Sequence, residues 1–220
     1  MVVHIGWRFL PAGHVEPVTS KDSHSLQTAA LSNRPLLCTV AIMFNEIKAI
    51  YRNDPAAHGL EPLLYPGLHA IITHKYCNHL LYKIHARFLA RLFSQIVRFL
   101  TGIEIHPGAR IGKGLFIDHG MGTVIGETVV IGDDCVMFHG ITLGGTGHHT
   151  GKRHPTIGNR VLLGAHATIL GPCTIGDDTK IGAETVIINA DVPANVTVVG
   201  TPGKIVRLNG QKVNIALQQR

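Results

Sequence analysis

Three groups of residues in this sequence have the types and spacing to do acid–base chemistry. They are Asp54 in Asn53-Asp54-Pro55-Ala56, the pair of stretches Glu104-Ile105-His106-Pro107 and Asp118-His119-Gly120, and Lys152-Arg153-His154-Pro155. Glu104 and His119 lie fifteen residues apart, so in a coil of eighteen residues they could approach each other across a corner. A carboxylate that holds one imidazole nitrogen leaves the other free to act as a general base. The same spacing equally fits a structural reading in which Asp54 is a helix cap, His119 a satisfied corner histidine and residues 152–155 a solvated excursion. Spacing alone does not choose.

The coil is implied by a six-residue beat between residues 105 and 208. Aliphatic residues recur at Ile105, Ile111, Ile117, Ile125, Ile131, Met137, Leu143, Ile157, Leu163, Ile169, Ile175, Ile181 and Ile187, and most are followed by Gly. After Pro193 the pair Val199-Gly200 and then Ile205 resume the beat. Small or modest side chains stand four positions after many of the aliphatic residues, as at Ala109, Val129, Cys135, Val161, Ala167, Cys173, Thr179 and Thr185. A period of six fits neither a helix nor a simple alternating strand. It fits a parallel β-helix in which three units close one triangular coil and each aliphatic residue stacks on its counterpart in the next coil. The register breaks twice. The step from Ile117 to Ile125 is eight, and the step from Leu143 to Ile157 is fourteen with no inward aliphatic residue between them. The second segment is expected to leave the coil as a loop, and loops on rigid scaffolds are where binding and catalysis concentrate.

Upstream of the beat, Phe44, Ile47, Ile50 and Tyr51 share one helical face, and Asp54-Pro55 reads as an N-cap with proline at the first helical position. Leu68 to Tyr82 and Ala86 to Leu100 read as two further helices. Phe88, Leu89, Leu92, Phe93, Ile96, Val97 and Leu100 give the last of these a wide stripe expected to be buried. The organisation is therefore α+β: a poorly ordered extension at 1–42, a helical domain at 43–101, the β-helix at 102–208 and a tail at 209–220. Arg8 and Pro11 interrupt the early apolar stretch, so no secretory signal is expected. Arg87, Arg91 and Arg98 argue against a membrane span.

The 220 residues carry a formal net charge of +6, with pI near 9.3 and 45% hydrophobic content. That balance favours an anionic ligand, and a phosphate-bearing cofactor is the economical choice. No basic run interleaved with aromatics suggests a nucleic acid. Cys38, Cys77, Cys135 and Cys173 form no CxxC pair, so they are expected to be reduced, as in a cytoplasm.

The motifs Asn53-Asp54-Pro55-Ala56, Gly67-Leu68-His69-Ala70, Thr101-Gly102-Ile103-Glu104-Ile105-His106-Pro107, Asp118-His119-Gly120-Met121-Gly122, Leu143-Gly144-Gly145-Thr146-Gly147 and Lys152-Arg153-His154-Pro155 closely resemble the serine O-acetyltransferase family, in the same order, from about Met43 to Val206. The resemblance implies a helical N-terminal domain, a left-handed β-helix, and a trimer or dimer of trimers. It implies that acetyl-CoA and L-serine are the substrates, with no permanently bound cofactor and no metal. By motif, His119 would be the general base and Glu104 its orienting acid, where many relatives have Asp. Asp54 and Asp118 would hold the serine ammonium, and Arg153 and His154 its carboxylate. Gly144, Gly145, Thr146 and Gly147, with Ala165 and Ala183, would line the pantetheine channel. Lys180, Lys204 and Arg207 could meet the coenzyme A phosphates or serve only as solvated surface charge.

Three departures stand beside the resemblance. His148 replaces a common Lys, His74-Lys75-Tyr76-Cys77-Asn78-His79 is one residue longer than the usual pattern, and the chain ends Leu217-Gln218-Gln219-Arg220 where relatives that bind cysteine synthase end in isoleucine. A cysteine synthase complex is thus not expected from the terminus. Other classes remain open: a γ-type carbonic anhydrase with zinc on His119, His149 and His154, a hexapeptide acetyltransferase acting on a sugar hydroxyl, and a catalytically silent scaffold. The first leaves the motifs unexplained, and the intact Asp54, Glu104, His119 and His154 speak against the third.

Overall fold

The chain folds as helices laid against a parallel β-helix, and the two share one hydrophobic core in which Ala70 and Ile71 pack with the inward residues of the coils. This computed structural model describes the backbone of residues 34–147 and 150–218, with side chains from Met43 onward. Of the expected poorly ordered extension, residues 1–33 lie outside the described residues, whereas 34–42 are helical. They open α1, Arg34–Asn53, which buries Ala49 and Ile50 but leaves Phe44 and Tyr51 exposed. Asp54 does not cap a following helix. A turn follows it, and the next helical residues are a 3-10 turn at Glu61–Leu64. With proline at 55 and glycine at 59, the segment has no run long enough to nucleate a helix.

Pro66 opens α2, Pro66–Thr73, which continues through a single π turn, His74–Asn78, into α3, His79–Lys83. The π turn is the structural counterpart of the extra residue in that stretch, because an i→i+5 ladder absorbs one inserted residue without breaking the helix. Helix α4, Arg87–Thr101, ends at Gly102, whose φ of 71° and N–H bond to Arg98 O at 2.8 Å make a left-handed C-cap. The apolar stripe of α4 is not buried as expected. Phe88, Leu89, Leu92, Phe93, Ile96 and Leu100 are all exposed, together with Phe99 at 88%. Nothing among the described residues covers them.

The β-helix has three sheets. Sheet A contains β1 (Glu104–Ile105), β4 (Val124–Ile125), β7 (Thr142–Gly144), β10 (Thr168–Leu170) and β13 (Val186–Ile188). Sheet B contains β2 (Arg110–Ile111), β5 (Val130–Ile131), β8 (Thr156–Ile157) and β11 (Thr174–Ile175). Sheet C runs β3 (Phe116–Ile117), β6 (Val136–Met137), β9 (Leu162–Leu163), β12 (Lys180–Ile181) and β14 (Val196–Val199), and is continued by β15 (Lys204–Leu208) and β16 (Gln211–Ala216). Register is set by the beat: Ile105 pairs with Ile125, Ile125 with Leu143, Leu143 with Ile169 and Ile169 with Ile187. Every aliphatic residue of the series through Ile187 is buried except Ile111, which is half-buried, and the eight small residues four positions on are buried as well.

Beyond Pro193 the beat shifts by one. Val198, aligned with Ile181, is the inward residue and is fully buried, while Val199 is exposed. The coil then ends in an antiparallel meander, and residues 211–216, expected as a tail, form its last strand against β15. No helix among the described residues is long and apolar enough to cross a membrane.

Candidate active site

His119 occupies the corner between β3 and β4, where the eight-residue step inserts two residues. The insertion is accommodated by left-handed backbone at His119 (φ 58°) and Gly120 (φ 74°), which turns the His119 ring out of the coil with its side chain 74% exposed. Asp118, beside it, is only 22% exposed, and its Oδ1 stands 3.6 Å from His119 Nε2, too far for a hydrogen bond. Asp54 belongs to the same neighbourhood. Its Oδ1 accepts the Ala56 N–H at 2.8 Å and its Oδ2 accepts the Tyr65 hydroxyl at 2.5 Å. The Tyr65 hydrogen bond holds the Asp54 carboxyl below the usual range, with the nearby His119 adding to the effect, and the same bond pushes the Tyr65 hydroxyl up to about 12. This corner therefore presents carboxylates next to an exposed imidazole.

Glu104, expected to orient that imidazole, is engaged elsewhere within the chain. It leads β1 on sheet A and is gripped by α4, with Arg91 Nη2 at 2.9 Å from Oε1 and Arg98 Nη1 at 3.2 Å from Oε2. A half-buried carboxylate between two guanidinium groups is the stronger arrangement for an isolated chain.

Arg153 and His154 stand at another corner, at the end of the segment that leaves the coil between β7 and β8. They are anchored there by Thr128, whose hydroxyl accepts the N–H groups of Arg153 and His154 at 3.1 and 3.2 Å. Arg153 Nη2 meets Glu127 Oε2 at 2.5 Å, and the Tyr82 hydroxyl donates to the other oxygen of Glu127 at 2.8 Å. These two bonds, Tyr82 first, keep Glu127 charged. His154 is 8% exposed, and burial moves its pKa down. The Thr128 N–H donates to its Nδ1 at 3.2 Å, which fixes the proton of the neutral ring on Nε2. The ring lies so close over Gly126 that a Cβ there would fall 2.1 Å from His154 Cδ2, so only glycine fits.

Chain order separates the two clusters. The corner of Asp118 and His119 leads from sheet C into sheet A, and the corner of Arg153 and His154 leads from sheet A into sheet B, so sheet A lies between them. The residues expected along the pantetheine divide in the same way. Ala165 and Ala183 stand on the His119 corner between β9 and β10 and between β12 and β13, whereas Gly145 to Gly147 belong to the Arg153 loop, entered from Gly144 at the end of β7. Lys180 and Arg207 line one cavity of ≈440 Å³ with Asp178 and Asn209, and Lys204 lines another of ≈120 Å³ with Val186, Ile188 and Leu217. The three cations thus do not form one cluster. Among the described residues no group of His, Cys, Asp and Glu is arranged to hold a metal ion; His149 is outside them.

Sequence reasoning missed Tyr65, Tyr82, Glu127 and Thr128, which fasten the acidic residue and the basic loop. It also missed His166, three residues after inward Leu163, and His139, which follows inward Met137 by two just as His119 follows Ile117 by two. That repeat of position was the available signal.

Comparison with known proteins agrees with this architecture. Residues 154–189 match the model of the bacterial transferase hexapeptide family (six repeats). Serine acetyltransferase of Helicobacter pylori strain 26695 is 54% identical over 162 residues, covering 73% of this chain and 94% of that protein. Serine acetyltransferase of Bacillus subtilis is 54% identical over 170 residues, covering 76% of this chain and 77% of that protein. A crystal structure of Neisseria gonorrhoeae serine acetyltransferase in complex with serine superposes with a TM-score of 0.74 at 42% identity, covering 78% of this chain and 70% of that one. With helices leading into a hexapeptide β-helix and this similarity along most of its length, the chain belongs to the serine acetyltransferase family of hexapeptide-repeat acyltransferases.

Proposed function

We propose that the chain transfers the acetyl group of acetyl-CoA to the hydroxyl of L-serine, giving O-acetyl-L-serine and CoA for cysteine biosynthesis, at a site closed between neighbouring copies of the chain. The observation that carries this reading is the opposite polarity of the two corners flanking sheet A. Asp54 and Asp118 suit an ammonium group, and Arg153 with the neutral Nε2–H of His154 suits a carboxylate. A zwitterionic amino acid needs both, and one chain holds them on opposite sides of a sheet. Packing a second copy against sheet A joins the acidic corner of one to the basic corner of the other, in a homo-oligomer such as a trimer or a dimer of trimers.

In that junction His119 takes the serine hydroxyl proton as the oxygen attacks the thioester carbonyl carbon. Backbone N–H groups of the coil supply the oxyanion donors. Collapse of the tetrahedral intermediate breaks the carbon–sulfur bond, and the imidazolium returns the proton to the CoA thiolate. Glu104, on sheet A, faces the same junction and supports the imidazolium of a neighbouring copy. Arg153 uses one of its five N–H donors on Glu127 and keeps others for the serine carboxylate. Acetyl-CoA enters as a co-substrate.

The test is CoA release from acetyl-CoA with L-serine, with homoserine and a galactoside as controls. Release with serine well above both controls is the expected result. Preference for the galactoside would overturn the assignment in favour of sugar acetylation.

A further inference from the structure

The mechanism needs a fixed imidazole at 119, yet Asp54, whose oxygens bond Ala56 and Tyr65, Asp118 and Glu104 give it no described hydrogen bond. Asp118 is 3.6 Å away and Glu104 is tied to Arg91 and Arg98. What does touch the His119 ring is a ladder of histidines up the same corner. The ring of His139 meets that of His119 edge to face, with centroids 6.0 Å apart and planes at 80°, and His166 meets His139 at 4.9 Å and 89°. Such T-shaped contacts are a preferred geometry of aromatic pairs. The backbone keeps the rungs in step, since His166 N donates to His139 O at 2.9 Å. Gly140 leaves the space for it, because a Cβ there would lie 2.2 Å from His166 Nδ1.

His139 also carries a cost that a space-filling residue would avoid. Its Nδ1 is buried without a described hydrogen-bond partner, and an unsatisfied buried polar atom is destabilising. A ring with no function beyond filling the corner would be better replaced by a hydrocarbon. Among the described residues the ladder is not a metal site.

We infer that His139, itself held by His166, is a positioning residue for the proposed reaction: its ring fixes the rotamer of the His119 imidazole so that the base meets the serine hydroxyl without relying on a carboxylate of its own chain. The inference rests on the reading of His119 as the base. Misplacing a catalytic group by about 1 Å can cost on the order of 10²-fold in rate, and loss of the ring leaves the exposed imidazole free to rotate.

The expected effect of His139→Ala is a fall in kcat of roughly 10- to 100-fold, with KM for serine and for acetyl-CoA each within about twofold and the folded fraction unchanged. His139→Phe, which keeps a ring of similar shape, should recover turnover to within about threefold of wild type, and His166→Ala should fall between the two. In a His119→Ala background, His139→Ala should cost nothing further, because residues acting through one group are not additive. Unchanged kcat per folded molecule for His139→Ala, or a loss of equal size with and without His119, would overturn the inference. Wild-type turnover in His119→Ala alone would instead overturn the base assignment beneath it, so the two failures are distinguishable.

Discussion

His119 is exposed at a corner that carries two inserted residues, with the nearest Asp118 oxygen 3.6 Å from its Nε2. If it is the base, His119→Ala lowers kcat by on the order of 10² to 10⁴, with acetyl-CoA affinity and thermal stability little changed, since the side chain is mostly solvent-exposed. Glu104→Gln should cost less, because an amide still bonds an imidazole but does not stabilise imidazolium. The position of Glu104 adds a second effect: the neutral amide also releases Arg91 and Arg98, so this variant should lose some thermal stability whereas His119→Ala does not. Steady-state kinetics with paired melting curves separates the two residues. A His119→Ala enzyme within a factor of two of wild type would remove the mechanism while leaving the fold intact.

At the scale of elements, the π turn is the informative one. It carries His74 into the core, where Nε2–H donates to Ala109 O at 3.1 Å and the ring is 1% exposed. It also carries Lys75, which meets buried Glu46 at 2.6 Å. Burial pushes His74 down to about 3, with the neighbouring His79 contributing in the same direction. An imidazole that stays neutral when folded but titrates near 6.5 when unfolded contributes stability above pH 6.5. That contribution is lost as pH falls from there toward 3, at up to about 1.4 kcal/mol per pH unit. His74→Gln, which keeps an N–H for Ala109 but does not titrate, should flatten the fall of melting temperature between about pH 6 and 4. Parallel curves for wild type and variant would show that His74 is not the group responsible.

For the whole molecule, a single chain has two unfinished surfaces. The apolar face of α4 is exposed, with Phe88 and Phe99 at 78% and 88%, and large exposed apolar patches mark interaction sites. The two candidate corners are separated by sheet A. The proposed association of copies would cover the first and complete the second, and a mixing experiment tests the split directly. His119→Ala and Arg153→Ala chains, each weak alone at subsaturating serine, should regain activity when co-expressed, because mixed oligomers contain junctions whose two corners are both intact. No recovery from mixed oligomers would place the site within one chain.

The sequence by itself determined the coil and its contents. An inward aliphatic residue every six positions is a local steric rule, so register, the two breaks and the end of α4 at Gly102 could be read without coordinates. So could the extra residue at 74–79, though not the π turn that absorbs it. The identities of Asp54, His119, Arg153 and His154 came from motifs. Tertiary structure decided what those residues touch. It turned Asp54 from a helix cap into a partner of Tyr65, gave Glu104 to Arg91 and Arg98, moved the inward position from Val199 to Val198, and exposed an α4 stripe that periodicity assigns to a core. Periodicity records which side of an element is apolar, whereas the partner on that side is set by the stacking of distant coils, and for the α4 stripe the described residues supply none.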